Sequence, residues 1–406
     1  MSDAFYFEPE KILRNGLGRA GVIHTPHGDI KTPTFAVVGT RGFVRSMPME
    51  KLRELNAQAM LSNGYHLRRQ ADEISTAGGL AAWSGWDGPT ITDSGGFQIM
   101  SLGSGLGKVV SMNKKDAGTG RQTPHEKRLA KITEDGVYFT DPWDGQEEFM
   151  GPEESMRVQH KIGADIMMAF DELTSIGDSY EYNMEAMERT HRWAERCLME
   201  HKKLGGAQAL YGVLQGGHYE DLRRETAKIL GGMDFDGFGL GGAFLKEDLG
   251  KILEWVAEEL PFAKPRHLLG LSRPDDIFVG AEFGCDTFDC VAPTREARHG
   301  RIYTLDGDVN LRKGIWANVE EPLDEGCDCG TCREGWTRGK LRVLLKSQDR
   351  DEKERYFELA SVHNVRFIVR LTEQMRESIL EGEFEGFRDG FLKRYYSSIA
   401  WQYGRM

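Results

Sequence analysis

The residues best suited to chemistry in this sequence stand where short apolar runs give way abruptly to polar side chains or glycines. Aspartates supply nucleophiles and general acids or bases, and paired glycines let the backbone approach a ligand closely. One aspartate in such a place is about as often a helix cap or a turn former. Three of them beside a glutamine and paired glycines are hard to explain structurally. We therefore predict one catalytic site from the runs Asp93-Ser94-Gly95-Gly96, Asp171-Glu172, Gln215-Gly216-Gly217, Gly241-Gly242 and Asp289.

A second group of residues is typical of a metal site. Cys327, Cys329 and Cys332 stand together in a Gly/Asp-rich stretch, and His363 is the nearest candidate for a fourth ligand. Three thiolates and an imidazole form a closed tetrahedral zinc site, which is structural because no position is left for water. Buried cysteines without a ligand are the alternative, although such residues rarely cluster at ligand spacing. His363 is chosen by position, so a neighbouring backbone or carboxylate group remains open as the fourth ligand.

Three further motifs carry less information. Gly103 to Lys108 imitates a phosphate loop, but Val109 stands where Ser or Thr would hold magnesium, so we interpret the stretch as a flexible loop. His191 falls on an apolar helical stripe, which predicts a packed residue and not a ligand. The basic residues that follow Asp289 are either an ordinary solvated face or a track for phosphates: Arg295, Arg298 and Arg301.

The elements that must position these residues follow an alternation of β-prone runs and helical patterns, which is typical of parallel α/β folds. Eight such units fit a closed (β/α)8 TIM barrel, whose functional groups lie at the carboxyl ends of the strands. An open doubly wound sheet is the alternative topology. The predicted strands are Thr34–Val38, Ala59–Leu67, Thr90–Asp93, Ala164–Phe170, Ala209–Leu214, Gly237–Leu240, His267–Leu271 and Thr287–Val291.

The predicted organisation is one barrel domain with a small inserted metal subdomain. Residues 1–319 form the barrel, preceded by a hairpin turning at residues 25–28 that closes its floor and interrupted by a long polar excursion over 103–146. The zinc-binding subdomain takes 320–365, and a helical region over 366–406 packs on the barrel.

Composition narrows the class of protein. The chain has 406 residues, of which 39 % are hydrophobic and 29 % charged, and this balance excludes a disordered or fibrous chain. No apolar run approaches the roughly 20 residues of a membrane span, and the N-terminus lacks a signal pattern, so we expect a cytoplasmic protein without a membrane partner. The net charge of −12 argues against general nucleic-acid binding, so a nucleic-acid partner must meet a local basic patch.

Together these motifs resemble the bacterial type of the tRNA-guanine transglycosylases, also called queuine tRNA-ribosyltransferases. The similarity covers nearly the whole chain and rests on Thr92 to Gln98, Met168 to Glu172, Gln215 to Gly217, Gly241-Gly242, Phe288 to Val291 with Pro293 to Arg295, and the cysteine group with His363. The resemblance implies a zinc-containing (β/α)8 enzyme, usually a homodimer. Such an enzyme exchanges the wobble guanine of GUN-anticodon tRNAs for a 7-deazaguanine in queuosine biosynthesis.

The resemblance also implies a role for each site residue. Asp289 is the nucleophile that becomes linked to ribose, and Asp93 is the general acid and base. Asp171 accepts hydrogen bonds from guanine N1 and the 2-amino group, while Gln215 and the Gly242 N–H meet its O6 and N7 edge. The remaining implied residues stack on or line the base pocket (Phe97, Ser94, Gly241 and Ala243) or hold the anticodon-loop phosphates (Arg295, Arg298 and Arg301).

Two departures from the family pattern concern the incoming base. Ala243 to Lys246 replaces a Leu-Ala-Val-Gly stretch of bacterial members, and Leu173 replaces a frequent cysteine. The incoming base therefore stays open between 7-aminomethyl-7-deazaguanine, its cyano precursor and queuine, with Glu247 favouring the aminomethyl base. Residues Gly103 to Lys131 look like an insertion.

Three other functions remain as alternatives. A DNA-directed deazapurine transferase shares the aspartates, but the zinc group and Pro293 to Arg295 favour tRNA. A non-catalytic partner subunit of the same fold is disfavoured because Asp93 and Asp289 are both present. An ordinary barrel glycosidase also uses paired carboxylates, but it does not explain the guanine-shaped set of Asp171, Gln215 and Gly242.

Overall fold

The β-prone runs of the N-terminal region form a small antiparallel sheet beneath the barrel. This computed structural model describes residues 5–104 and 130–397. The sheet comprises β1 (Tyr6–Ile12), β2 (Arg19–Thr25) and β3 (Gly28–Thr32). The hairpin predicted to turn at residues 25–28 is confirmed, whereas β1 was not predicted. Phe7, Ile23 and Ile30 pack in one cluster with side chains of the barrel strands, so the sheet covers the barrel floor.

Eight parallel strands form a closed barrel, which confirms the (β/α)8 prediction. The last strand pairs with the first, with Phe288 opposite Phe35, and this closure excludes an open doubly wound sheet. In chain order, the barrel strands are β4 (Thr34–Val38), β5 (Met60–Asn63), β6 (Thr90–Asp93), β10 (Ile166–Met168), β11 (Ala209–Leu214), β12 (Gly237–Leu240), β13 (Arg266–Leu268) and β14 (Thr287–Cys290). Their near-continuous apolar character fits strands covered on both faces.

The second barrel strand is shorter than predicted. The sequence suggested a strand to Leu67, but the chain turns into a helix directly after Asn63. The Asn63 side chain accepts a hydrogen bond from the His66 N–H at 3.0 Å, an N-cap that ends the strand. The prediction of Ala59–Leu67 was wrong at its end because this local cap overrides the apolar pattern.

Helices follow the barrel strands and cover them. Pro152 opens one of these helices and Gly163, with φ of +69°, ends it, as the sequence predicted. His191 is buried and lies 3.0 Å from the Thr226 hydroxyl, which confirms it as a packed residue. The helices up to the last strand are α1 (Glu50–Glu54), α2 (Gly64–Leu67), α3 (Ala71–Thr76), α4 (Leu80–Ser84), α5 (Gly96–Ser104), α6 (Pro152–Ile162), α7 (Tyr180–Leu204), α8 (Glu220–Gly231), α9 (Leu249–Glu259) and α10 (Pro274–Glu282).

The excursion after β6 ends in a second antiparallel sheet. Its strands are β7 (Ala130–Ile132), β8 (Val137–Thr140) and β9 (Glu147–Met150). Arg68 ties this sheet to the barrel through ion pairs with Asp141 and Glu148. Most of the predicted insertion, Gly103 to Lys131, and most of the Gly103 to Lys108 motif lie outside the described residues.

The C-terminal part joins the metal cluster to the barrel. It contains α11 (Ala292–Arg298), β15 (Arg301–Ile302), β16 (Val309–Asn310), α12 (Gly330–Arg333), α13 (Arg338–Lys346), α14 (Arg350–Glu381) and α15 (Phe384–Ser397). The predicted boundary between residues 365 and 366 falls inside α14, which runs through it without a break. Arg376 of this helix donates hydrogen bonds to the carbonyls of Gly21 and Thr32, at 2.9 and 2.8 Å. Among the described residues, no helix combines the length and apolar character needed to cross a membrane.

Candidate active site and metal centre

Asp93 stands at the end of β6, where the strand opens into the barrel mouth. Its carboxylate accepts hydrogen bonds from the Asn63 side chain at 2.5 Å and from the Gly64 and Gly95 N–H groups at 2.9 and 3.1 Å. Burial, with a contribution from the negative charge of Asp289, raises the pKa of Asp93 to about 7, although these hydrogen bonds act in the opposite direction. A carboxyl group with this pKa both donates and accepts protons near neutral pH.

Asp289 is held at the same mouth by the end of β14. One of its oxygens, Oδ1, lies 3.1 Å from His267 Nε2 and accepts a hydrogen bond from the Gly270 N–H at 3.0 Å. His267 is fully buried, and its other ring nitrogen lies 2.8 Å from the Thr287 hydroxyl. The imidazole is thus fixed between two residues of β14. This anchoring engages Oδ1 of the carboxylate and orients Oδ2.

A third carboxylate, that of Asp171, and the amide of Gln215 meet at the same barrel mouth. Gln215 Nε2 donates to Asp171 Oδ2 at 2.6 Å, and the Ser94 hydroxyl lies 3.5 Å from Asp171 Oδ1. Burial raises the pKa of Asp171 to about 6, although the Gln215 and Ser94 hydrogen bonds oppose the shift. The neighbouring Glu172 is instead an internal structural acid, paired with Arg189 and accepting a hydrogen bond from the Tyr182 hydroxyl at 2.8 Å.

The other pocket residues predicted from the sequence follow β12 or β6 in the chain. Gly242 has a φ of +115°, a conformation that favours glycine, and it directly follows Gly241 after β12. Ala243 is buried next to them, and Phe97 is 38 % exposed on α5, which leaves its ring available for stacking.

The three predicted phosphate-binding arginines differ in exposure and in the charged residues around them. Arg295 is exposed, and Arg298 has a buried NH1 group without a hydrogen-bond partner in the described part of the chain. Burial and the nearby charges of Arg45 and Arg295 lower the pKa of Arg298. Arg301, in contrast, is committed to an ion pair with Asp308 at 2.9 Å and lies 3.6 Å from Glu296.

The predicted metal ligands converge in space. The Sγ atoms of Cys327, Cys329 and Cys332 lie 3.7, 3.6 and 3.3 Å from His363 Nδ1, and all four ligand atoms lie within 4.8 Å of one another. Zinc–sulfur and zinc–nitrogen bonds of about 2.3 and 2.1 Å place tetrahedral sulfur and nitrogen ligands about 3.6 Å apart. His363 Nε2 lies 2.8 Å from the Tyr303 carbonyl, so it donates there and Nδ1 faces the thiols. The four residues can therefore hold a metal ion.

Comparison with known proteins agrees with this geometry. A family profile described as "Queuine tRNA-ribosyltransferase" matches residues 14–397. Proteins with the same name from Geobacillus thermodenitrificans and Shouchella clausii are each 40 % identical over 400 and 402 residues, covering 97 % of this chain and 97 % of each relative. The chain belongs to the queuine tRNA-ribosyltransferase family. A relative of that name from Staphylococcus aureus is 39 % identical over 397 residues.

Membership in the queuine tRNA-ribosyltransferase family makes the protein an enzyme of the pentosyltransferase class. The resemblance seen in the sequence is thus confirmed.

The sequence did not reveal three residues that shape the site. They are Asn63, which bonds to Asp93; His267, which bonds to Asp289; and Arg223, which lies beneath Gly241 and Gly242. Asn63 ends β5 after an apolar run, and this position is a signal that the sequence offered, whereas His267 and Arg223 gave none.

Lys246, one of the residues that depart from the family pattern, forms ion pairs with a neighbouring helix. Lys246 lies 2.6 Å from Asp275 and 2.9 Å from Asp276, at the start of α10. The ion pairs attach the segment after β12, a three-residue 3-10 helix over Lys246–Asp248, to the neighbouring α10. The segment that follows the two pocket glycines is therefore held from outside the pocket.

Proposed function

We propose that this protein exchanges the wobble guanine of GUN-anticodon tRNAs for a 7-deazaguanine through a covalent ribosyl-aspartate intermediate. The observation that carries the proposal is one barrel mouth holding Asp93 and Asp289, whose charges interact, beside the Asp171–Gln215 pair. Two carboxylates that flank a glycosidic bond perform double displacement with retention of configuration. The Asp171–Gln215 pair supplies the acceptor and donor set that suits guanine.

In the first displacement, Asp289 attacks ribose C1′ as the bond from C1′ to guanine N9 breaks. His267 and Gly270 engage Oδ1, so Oδ2 is the attacking oxygen. The electron pair of the broken bond goes to guanine, and Asp93 in its protonated form supplies the proton that neutralises the leaving base. The ribose passes through an oxocarbenium-like transition state and becomes an ester of Asp289.

In the second displacement, Asp93 acts as a base. Its carboxylate takes a proton from the incoming 7-deazaguanine, the N9 atom of which attacks C1′ while the ester bond to Asp289 breaks. Asp93 returns to its protonated form and Asp289 to its carboxylate, so both groups are restored. A pKa of about 7 for Asp93 suits both directions of proton transfer.

Base recognition is proposed for the residues around Asp171. Its carboxylate accepts from N1 and the 2-amino group, Gln215 donates to O6, and the Gly242 N–H meets the same edge. Phe97 stacks on the base, which must leave its stack in the anticodon loop to reach the pocket. Ser94, Gly241 and Ala243 line the pocket.

The incoming base is proposed to be 7-aminomethyl-7-deazaguanine. Its C7 substituent carries an ammonium group, and Glu247, five residues beyond Gly242, supplies a carboxylate of opposite charge. Competition between the aminomethyl base, its cyano precursor and queuine for incorporation tests this choice, with preference for the cyano base or queuine arguing against it.

The partner is proposed to be the anticodon loop of a tRNA, contacted through its phosphates. Arg295 and Arg298, together with the charge of Arg45, provide a local basic patch on an acidic protein. Arg301, which also pairs with Asp308, is the third arginine of the proposed phosphate-binding set.

Zinc held by the three cysteines and His363 stabilises the C-terminal subdomain, because four protein ligands leave no position for substrate. The homodimer implied by the family stays a proposal, which light scattering of the purified protein tests.

The decisive experiment incubates the protein with labelled guanine and a tRNA carrying guanine at the wobble position. The same tRNA with that base replaced is the control, and duplex and single-stranded DNA are tested beside it. Label in the first RNA alone supports the proposal, and a covalent protein–RNA band on a denaturing gel that disappears in Asp289→Ala supports the intermediate. Label in DNA indicates a DNA-directed transferase, and no label in any substrate indicates a non-catalytic subunit.

A further inference from the structure

A buried arginine lies beneath the proposed base pocket without an acidic partner. Arg223 of α8 is 1 % exposed, and no ion pair involves it within the described residues. Burial lowers the pKa of Arg223 to about 9, so the guanidinium stays charged at neutral pH. A buried charge without a counter-ion is costly unless its N–H groups form hydrogen bonds.

Most of the guanidinium donors hold the carboxyl ends of two barrel strands. Nε donates to the Gly217 carbonyl at 2.8 Å, and NH1 donates to the carbonyls of Gly241 and Leu214 at 2.9 and 3.3 Å. Arg223 therefore links the turn after β11 to the turn after β12. These are the two turns that carry Gln215 and Gly242.

The NH2 group of Arg223 and the Oε1 atom of Gln215 are both buried and have no hydrogen-bond partner among the residues described. Both lie beside Gly242. A β-carbon at Gly242 would overlap with the Arg223 NH2 group and would lie 3.4 Å from Gln215 Oε1. A donor and an acceptor, each lacking a partner, thus flank the same glycine.

The Nε2 end of the Gln215 amide, in contrast to Oε1, has a hydrogen-bond partner. Its Nε2 donates to Asp171 Oδ2 at 2.6 Å, so the N–H2 end of the amide faces the pocket and the carbonyl end faces away. A cation behind the carbonyl end favours this orientation over the flipped one, because flipping would bring the amide N–H2 against the guanidinium.

We propose that Arg223 is a positioning residue that fixes the Gln215 amide with its N–H2 toward the pocket, and thereby selects bases that carry an acceptor oxygen at C6. This inference rests on the proposed function. A fixed N–H donor bonds to the O6 of guanine and discriminates against a base without a good acceptor there. The Asp171 carboxylate, which accepts from the same Gln215 amide, reads N1 and the 2-amino group.

The test compares guanine, 6-thioguanine and hypoxanthine as incoming bases in exchange with a wobble-guanine tRNA. In 6-thioguanine a weakly accepting sulfur replaces O6, whereas hypoxanthine keeps O6 and lacks the 2-amino group. In Arg223→Gln we expect the guanine preference over 6-thioguanine, as a ratio of kcat/KM, to fall by about tenfold, because one oriented hydrogen bond is lost. The guanine preference over hypoxanthine should change by less than about twofold, since Asp171 is unaltered.

Two variants serve as controls. Arg224→Gln makes the same change at the next position of α8, where Arg224 bonds to Glu220 and Glu258 on the surface, and it should keep both ratios. Arg223→Lys retains the positive charge and should restore most of the 6-thioguanine discrimination. A uniform loss of rate for all three bases in Arg223→Gln, with both ratios unchanged, would show a merely structural role and overturn the inference.

A measurement on the wild-type protein covers the case in which Arg223→Gln fails to fold. A crystal structure of the guanine complex should show Arg223 NH2 within about 3.2 Å of Gln215 Oε1. A separation without a direct or water-bridged hydrogen bond would overturn the inference. Absence of any base exchange by the wild-type protein is a different result, and it would contradict the proposed function instead.

Discussion

At the scale of single residues, the environment of Asp93 separates it chemically from Asp289. Asp93 is drawn toward its neutral form by burial and by the charge of Asp289, and its pKa rises to about 7. Asp289 differs in that His267 and the Gly270 N–H hold one of its oxygens and leave the other without these contacts. This difference suits the proposed mechanism, in which Asp93 transfers protons and Asp289 attacks the ribose.

The raised pKa of Asp93 predicts how Asp93→Asn changes stability with pH. The folded state holds the Asp93 proton up to about pH 7, whereas the unfolded chain releases it near pH 4. The wild-type protein therefore loses stability as the pH rises between these values, and the variant does not. Relative to wild type, Asp93→Asn should gain about 2 kcal/mol in free energy of unfolding between pH 5 and pH 8.

Urea denaturation of both proteins at the two pH values measures this difference. Using the change between pH values cancels any constant effect of placing an amide beside the Asn63 side chain. An equal difference between variant and wild type at pH 5 and pH 8 would contradict a raised pKa. The variant should also lose base exchange at every pH.

His267 predicts a second effect at the residue scale. His267→Phe removes the Nε2 group that anchors Asp289, and kcat for base exchange should fall by about tenfold to a hundredfold with KM nearly unchanged. His267→Gln offers an amide N–H and should recover part of the rate. His191→Gln, which alters a buried histidine that lies 3.0 Å from the Thr226 hydroxyl and has no hydrogen bond to Asp289 in the described part of the chain, is the control. Equal kcat values in wild type and His267→Phe would contradict the anchoring role.

At the scale of elements, the N-terminal sheet acts as the floor of the barrel. Ile23 on β2 is fully buried against the barrel interior, whereas Ile12 on β1 is 51 % exposed. Ile23→Ala should lower the free energy of unfolding by about 3 kcal/mol because it leaves a cavity. Ile12→Ala, the same change on the same sheet, should cost less than about 1 kcal/mol. Chemical denaturation compares them, and similar costs would argue against a packed floor.

The strands were predictable from sequence because each barrel strand is a short apolar run bounded by glycine, proline or polar residues. The end of β5 was not, since an Asn63 side-chain cap competes with the apolar pattern. β1 was missed because most of its side chains are exposed and it contains Pro9, so it has no clear alternation. Element boundaries depend on such local contacts more than element identity does.

The candidate site was predictable where residue type changes at a strand end, as at Asp93, Asp171 and Asp289. His267 and Arg223 gave no such signal, because one lies in the middle of a strand and the other within an amphipathic helix. Their significance depends on hydrogen bonds to residues of other strands. The ion pair between Arg301 and Asp308 likewise required the folded chain.

At the scale of the whole molecule, an acidic protein must bind an anionic partner through a small region. Arg295→Gln and Arg298→Gln should each weaken tRNA binding and reduce the slope of log K against log salt by about 1. Arg301→Gln should mainly lower the melting temperature, because Arg301 neutralises the buried Asp308. Filter binding at several salt concentrations, beside thermal melting, separates these outcomes. A salt slope in Arg295→Gln and Arg298→Gln equal to that of wild type would exclude phosphate contacts by these two arginines.

The metal cluster predicts a global effect of metal removal. Cys329 and His363 are buried, and the cysteines pack against the core that includes α14. Cys332→Ser, or a strong chelator, should reduce zinc from about one ion per chain and lower Tm by about 10 °C. Cys285→Ala, at a buried cysteine outside the cluster, should keep the zinc content. Zinc analysis and calorimetry measure both quantities, and unchanged values after Cys332→Ser would contradict a structural zinc site.

The hydrogen bonds from Arg376 to Gly21 and Thr32 have a consequence for how the chain is made. The floor sheet is synthesised well before the strand that closes on β4 and the helix that holds the sheet in place. At about 5 to 20 residues per second, roughly 20 to 70 s separate the synthesis of Thr32 from that of Arg376. The nascent chain exposes the open edge of β4 until β14 is made, and the floor sheet lacks its hydrogen bonds to α14 until Arg376 is made.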